Sequence, residues 1–137
     1  MPIHNMHFES GVFFTRAVGY VDDVDLRLWA TSLKHHTKKS DSPVVALVDL
    51  READRLSPTM LKILVSTLQS GNVLAIGLIT SDTMNSRNAS IISKIGALQG
   101  LRMFTNIDDG YVFARQQLQP SAGFYPAQSA FAYAVGF

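Results

Sequence analysis

No cysteine occurs in the 137 residues, which excludes disulfide bonds and thiolate chemistry. An excess of one charge is missing as well. Lys and Arg number 12 against 11 Asp and Glu, a formal net charge of +1, so there is no electrostatic footprint for nucleic acid or an anionic membrane surface. No apolar run approaches the ~20 residues needed to span a bilayer. Met1 to Phe8 holds no long apolar stretch, so a signal peptide is not expected, and a cytoplasmic location is. The chain has no HExxH, P-loop, GxGxxG or GxSxG pattern. Of its four histidines, His4 and His7 are three apart in an expected strand and point to opposite faces, while adjacent His35 and His36 diverge around an expected helix. Asp22, Asp23 and Asp25 lack the spaced ligands, glycine and closing glutamate of a calcium loop. No metal, cofactor or catalytic residue is expected.

What is present is a chain 47% apolar and 17% charged, long enough to bury one core without staples. Residues 3–9 and 12–19 flank Ser10-Gly11, a hairpin signal. Asp22, with Asp25 three residues on, forms a capping box. Leu26, Trp29, Ala30 and Leu33 then fall on one helix face, and Lys34, His35, His36, Lys38 and Lys39 suit that helix's negative C-terminal end. Val44 to Leu50 is a continuous apolar run ending in Asp49-Leu50, as expected for a strand buried on both faces of a parallel sheet. Ser57-Pro58 opens a helix over 57–70 with a stripe of Leu61, Leu64, Val65 and Leu68, and Gly71 fits the position just past its end. Val73 to Thr80 is a second buried strand. A polar loop, Ser81 to Arg87, leads to a helix carrying Ile91, Ile92, Ile95 and Leu98 that ends at Gly100. Arg102 to Phe104 is a short strand. Thr105, with Asp108, caps a last helix through Leu118, which Pro120 stops.

The expectation is an α/β domain over residues 1–120: a mixed sheet of about five strands, an N-terminal hairpin followed by alternating βα units, with four helices. The tail, 121–137, differs. It carries no charged side chain, and Phe131, Tyr133, Val135 and Phe137 alternate with Ala130, Ala132, Ala134 and Gly136. That period of two reads as an apolar strand that packs on its own domain, contacts a second chain as a homodimer, or holds a ligand.

The stretch Val48-Asp49-Leu50-Arg51-Glu52-Ala53-Asp54-Arg55-Leu56-Ser57-Pro58-Thr59-Met60-Leu61 resembles the hallmark of the STAS domain, the sulfate-transporter and anti-sigma-factor-antagonist family. The resemblance is nearest to the SpoIIAA-like branch of small stand-alone bacterial proteins. The element order over residues 3–118 matches too. The family pattern is a buried strand ending Asp-Leu, a short loop, and a helix opening Asp-Ser-x-Gly-Leu around a phosphorylatable serine. Laid down without gaps, that Asp falls on Ser57, the Ser on Pro58 and the Gly on Met60. Proline has no hydroxyl, and Ser57 followed by Pro58 is a good helix opener, so a kinase-controlled switch is not expected here.

The resemblance implies a non-enzymatic regulatory or interaction module. Its partner protein would meet the loop Arg51 to Ser57 and helix 57–70, through Arg51, Arg55, Ser57, Met60, Ile63 and Thr67. Met60, Ile63 and Thr67 form a second row beyond the core stripe, a sign of deep burial or of a partner. Asp49 ends one parallel strand and Thr80, Ser81 and Asp82 end the next. With Ser57, Asn85, Arg51 and Arg87 they are expected to line one polar edge able to take a ligand or phosphate. One alternative is a carrier or sensor for a small apolar, lipid-like ligand, lined by Trp29, Phe104, Phe113 and the tail. A remote one is a receiver-like phospho-acceptor at Asp49, with Asp22-Asp23 as its acidic pair and Thr80 as its hydroxyl. That reading lacks the leading parallel strand and the lysine after the last strand.

Overall fold

Ser10 and Gly11 both take positive φ, 53° and 83°, and reverse the chain between two antiparallel strands, β1 (Ile3–Glu9) and β2 (Val12–Val21). The computed structural model describes residues 3–40, 42–70 and 72–119. Gly71, Pro120 and the tail 121–137 lie outside the described residues. After β2 come α1 (Asp23–Ser40), β3 (Val44–Leu56), α2 (Met60–Leu68), β4 (Val73–Ile79), α3 (Asp82–Arg87), α4 (Ala89–Ile95), β5 (Leu101–Phe104) and α5 (Ile107–Leu118). The sheet order is β1-β2-β3-β4-β5, and every pair after the hairpin is parallel. The two aliphatic runs therefore lie side by side and point the same way, as their composition on both faces requires.

The sheet has an unequal cover. One face packs Leu26, Trp29 and Leu33 of α1, Met60 and Leu64 of α2, Met84 and Ile95 against Phe13, Ala17, Val48, Leu50, Ile76 and Leu78. The other face is met by α5, whose Phe113 and Ala114 bury Val12, Val45, Leu47, Ala75 and Ile79. At Gly77 a β-carbon would sit 2.7 Å from Leu47 Cδ2 and 3.6 Å from the Phe113 ring, so the bare backbone is what lets these side chains close over β4.

Four elements differ from the sequence expectation, each because a tertiary contact outweighs a local signal. First, β3 does not end at Leu50. Val18 to Val21 of β2 continue the parallel ladder beside Glu52 to Leu56, so the expected loop Arg51–Ser57 is mostly strand. Second, the expected polar loop Ser81–Arg87 is helical. Ser81 accepts the Met84 amide, and the chain breaks at Asn88 before resuming as α4, so one expected helix is two. Third, α5 is capped by Asn106, which accepts the Asp109 amide at 2.9 Å, rather than by Thr105. Fourth, α2 begins at Met60 and not at Ser57-Pro58, the Ser57 hydroxyl being drawn to Asp23. The capping box at α1 forms as expected: the Asp25 amide donates to Asp22 at 2.9 Å and the Asp22 amide to Asp25 at 3.3 Å.

Candidate functional site

The start of α2 is tied to the start of α1. The Ser57 and Thr59 hydroxyls both donate to the Asp23 carboxylate, and the Thr59 amide donates to Ser57 Oγ at 3.3 Å. Those two hydroxyls, helped by Arg27, hold the Asp23 carboxyl below its ordinary range. Ser57 is only 2% exposed. Pro58 follows it and closes a turn in which the Met60 amide reaches the Ser57 carbonyl at 3.0 Å. The Ser57 hydroxyl is thus buried and engaged, and Pro58 beside it carries none.

Asp49 is not at a strand end. Against β2 it pairs with Arg16 in mid-ladder, because β2 and β3 run on together past it, while against β4 it pairs with Ile79 at the last rung. Its side chain is buried, and Arg51, two residues along the same strand face, closes on it: Nε to Oδ1 at 3.0 Å, Nη2 to Oδ2 at 2.9 Å and the amide to Oδ1 at 3.1 Å. Burial alone would raise the Asp49 carboxyl. The bonds and charge of Arg51, with Arg16 beside it, outweigh burial and leave it below its usual value. Arg51 is therefore the counter-ion of Asp49 and engages both of its oxygens.

The expected single polar edge separates into parts. Arg87 pairs with Asp54, and Ser81 caps α3. Ser57 faces Asp23. Thr80 and Asn85 instead line a cleft with Met103, Phe104, Thr105 and Asp109, and Asp49 is not part of it. Asp82 is exposed in the first turn of α3. The residue the sequence reading missed is Asn88. It is buried, accepts the Leu56 amide at 3.0 Å, and donates to the Met84 carbonyl at 2.9 Å and the Asp54 carbonyl at 3.3 Å, so it binds the α3–α4 break to the end of β3. Its place after a helical Met84-Asn85-Ser86-Arg87 run was the available signal.

The expected partner row on α2 is also divided. Met60 and Thr67 are buried in the monomer, 2% and 7% exposed, because this helix sits deep between α1 and β4 and its core stripe is broad. Ile63 is half-buried and borders a groove between α1 and α2. That groove, about 240 Å³, is lined by Ala30, Leu33, Lys34, Lys62, Ile63, Ser66, Thr67 and Ser70. No acidic partner of Lys34 or Lys62 exists among the described residues. Arg55 is exposed and lies over the Tyr20 ring at 5.9 Å.

Among the described residues the expected apolar cavity does not form, and the tail named with it lies outside them. Trp29 belongs to the helix-covered face, while Phe104 and Phe113 pack on the opposite face of the sheet, so the three cannot line one site. The gap beside Trp29, bounded by Ala17, Val21, Leu26, Val48, Leu50, Met60 and Leu64, holds about 10 Å³, room for one water at most. Among the described residues no group of three or more His, Asp or Glu is placed to hold a metal ion, and no helix is long and apolar enough to cross a membrane.

No protein-family model matches the chain, and no curated protein matches it by sequence. Solved structures do. An anti-sigma factor antagonist from Mycobacterium paratuberculosis superposes with a TM-score of 0.57 at 19% identity, covering 82% of this chain and 91% of that one. An uncharacterised DUF3478-family protein with a SpoIIAA-like fold, from Shewanella loihica PV-4, gives 0.54 at 19% identity over the same shares. With its leading hairpin, three further parallel strands and helices on both faces, the chain has the SpoIIAA-like fold of the anti-sigma-factor-antagonist, or STAS, domains.

Proposed function

We propose that this domain is a regulatory interaction module that receives an acidic, partly apolar segment of a partner protein in the α1–α2 groove. The groove's composition carries this reading. Ala30, Leu33 and Ile63 form an apolar floor, Ser66, Thr67 and Ser70 supply hydroxyls, and Lys34 and Lys62 stand on opposite walls with no acidic partner among the described residues. Two unpaired cations flanking an apolar trough favour a segment carrying carboxylates beside an aliphatic or aromatic anchor. The shared fold with an anti-sigma factor antagonist supports a binding rather than a catalytic role. Pro58 in place of the family's serine, and Ser57 buried against Asp23, point to binding that is not gated by phosphorylation at the start of α2. A homodimer through the tail would involve residues outside those described.

A photo-crosslinker placed at Ser66, compared with one at Arg115 on the opposite sheet face, tests the reading. Capture of a defined protein from Ser66 alone, lost in a Lys34→Glu/Lys62→Glu variant that melts like the parent, is the expected result. Capture that ignores the double charge reversal would remove the proposal.

A further inference from the structure

We infer that the crevice at the carboxy ends of β4 and β5 is a binding site for a small organic cation, an alkylammonium or guanidinium group. Thr80 follows β4, and its amide donates to the Phe104 carbonyl at the end of β5 at 2.8 Å. Around this junction Thr80, Asn85, Met103, Phe104, Thr105 and Asp109 line an open cleft of about 310 Å³. That is the lower end of the size range of small-molecule sites, at the edge of a parallel sheet where ligands are habitually bound.

Two polar groups here lack partners. Thr80 is only 2% exposed, and its hydroxyl makes no hydrogen bond among the described residues. The Asn85 Oδ1 atom is fully buried and equally unpaired. Folded proteins satisfy nearly all buried polar atoms, so the Asn85 oxygen, with the Thr80 hydroxyl beside it in the lining, offers two open acceptors to a donor entering the cleft. The charge of the walls sets its sign. Asp109 is the one ionisable side chain lining the cleft, and Asp82 and Asp108 stand in the first turns of α3 and α5. Asn106 donates to one oxygen of Asp109 at 3.0 Å, leaving the other without a partner among the described residues. Arg87, the cation the sequence reading placed at this edge, is held by Asp54. An anion would meet carboxylates already compensating the α5 N-terminus, whereas an ammonium or guanidinium brings several N–H donors to a hydroxyl, an amide oxygen and a carboxylate. Phe104 and Met103 add an aromatic and a thioether wall for the alkyl stem. This site shares no residue with the α1–α2 groove and does not rest on the function proposed for it.

The test is amide NMR of the full chain titrated with butylammonium chloride and with methylguanidinium chloride, against sodium acetate and butanol as controls. Saturable shifts at Thr80, Asn85, Thr105 and Asp109 with at least one cation are expected, weakened about tenfold or more in Asp109→Asn and in Thr80→Val. Thr80→Val keeps the side-chain shape and removes a hydroxyl that bonds to nothing, so it retains the fold, which a thermal melt verifies. No saturable shift with either cation, equal shifts with acetate or butanol, or undiminished binding in both variants would overturn the inference. Capped lysine and arginine peptides form a second arm. Tighter binding than the free cations assigns the group to a protein side chain, and weaker binding assigns it to a free small molecule; either keeps the cation chemistry.

Discussion

The Ser57 hydroxyl donates to the Asp23 carboxylate across 34 positions of sequence, joining the first turn of α1 to the turn that opens α2. The sequence pattern that the chain resembles opens this helix with a phosphorylatable serine. Here the same place is a buried, hydrogen-bonded splice between two helices. Loss of a hydrogen bond from a buried hydroxyl is destabilising. Ser57→Ala is therefore expected to lower the urea midpoint with an unchanged slope. A midpoint equal to the parent's would show that Thr59 alone holds the splice.

Arg51 should matter to stability through Asp49. Arg51→Met leaves a buried carboxylate without its counter-ion, a change that costs 3–5 kcal/mol for fully buried pairs. The guanidinium is 39% exposed, so solvent screening brings the expectation down to about 1–2 kcal/mol. The pH dependence follows from the sign of the shift. The Asp49 carboxyl lies below its ordinary value of 3.8 in the folded chain. Its pairing therefore adds stability that is fully present above that value and is lost as pH falls through the lower folded value. Arg51→Met should flatten this part of the acid limb. Parallel stability–pH curves for the two proteins between neutrality and the carboxylate range would contradict the pairing.

Asn88 accepts from one backbone amide and donates to two backbone carbonyls with a single side chain. Asn88→Ala orphans the buried Leu56 amide and frees the Met84 carbonyl, an expected loss of about 2–3 kcal/mol. Hydrogen exchange at Leu56 reads the effect directly. Protection there that survives the substitution would mean the amide has another acceptor.

Thr15 points the other way. Its hydroxyl is fully buried and has no hydrogen-bond partner, and it sits beside Val48 in the ladder. Thr15→Val keeps the shape and removes a desolvated polar group, so the melting temperature should stay level or rise, with a gain of up to about 1 kcal/mol. A clear fall would reveal a partner for that hydroxyl, such as an ordered water.

The order of elements was legible because it is written in local chemistry. Val44 to Leu50 and Val73 to Ile79 are apolar on both faces, which only an interior parallel strand accommodates, and Asp22 with Asp25, like Ser10 with Gly11, carry their caps and turns in neighbouring residues. What the tertiary structure alone decided were the pairings between distant segments. Whether Asp49 ends a strand depends on how far Val18 to Val21 keep pace with β3, and that depends on partners in another strand. Whether Met60 and Thr67 face a partner or the core depends on how deeply α1 and β4 enclose α2, since a helix's periodicity shows which residues share a face but not what lies against it. The same reason set Trp29 and Phe113 on opposite sides of the sheet and brought Thr80 to Asp109 instead of to Asp49.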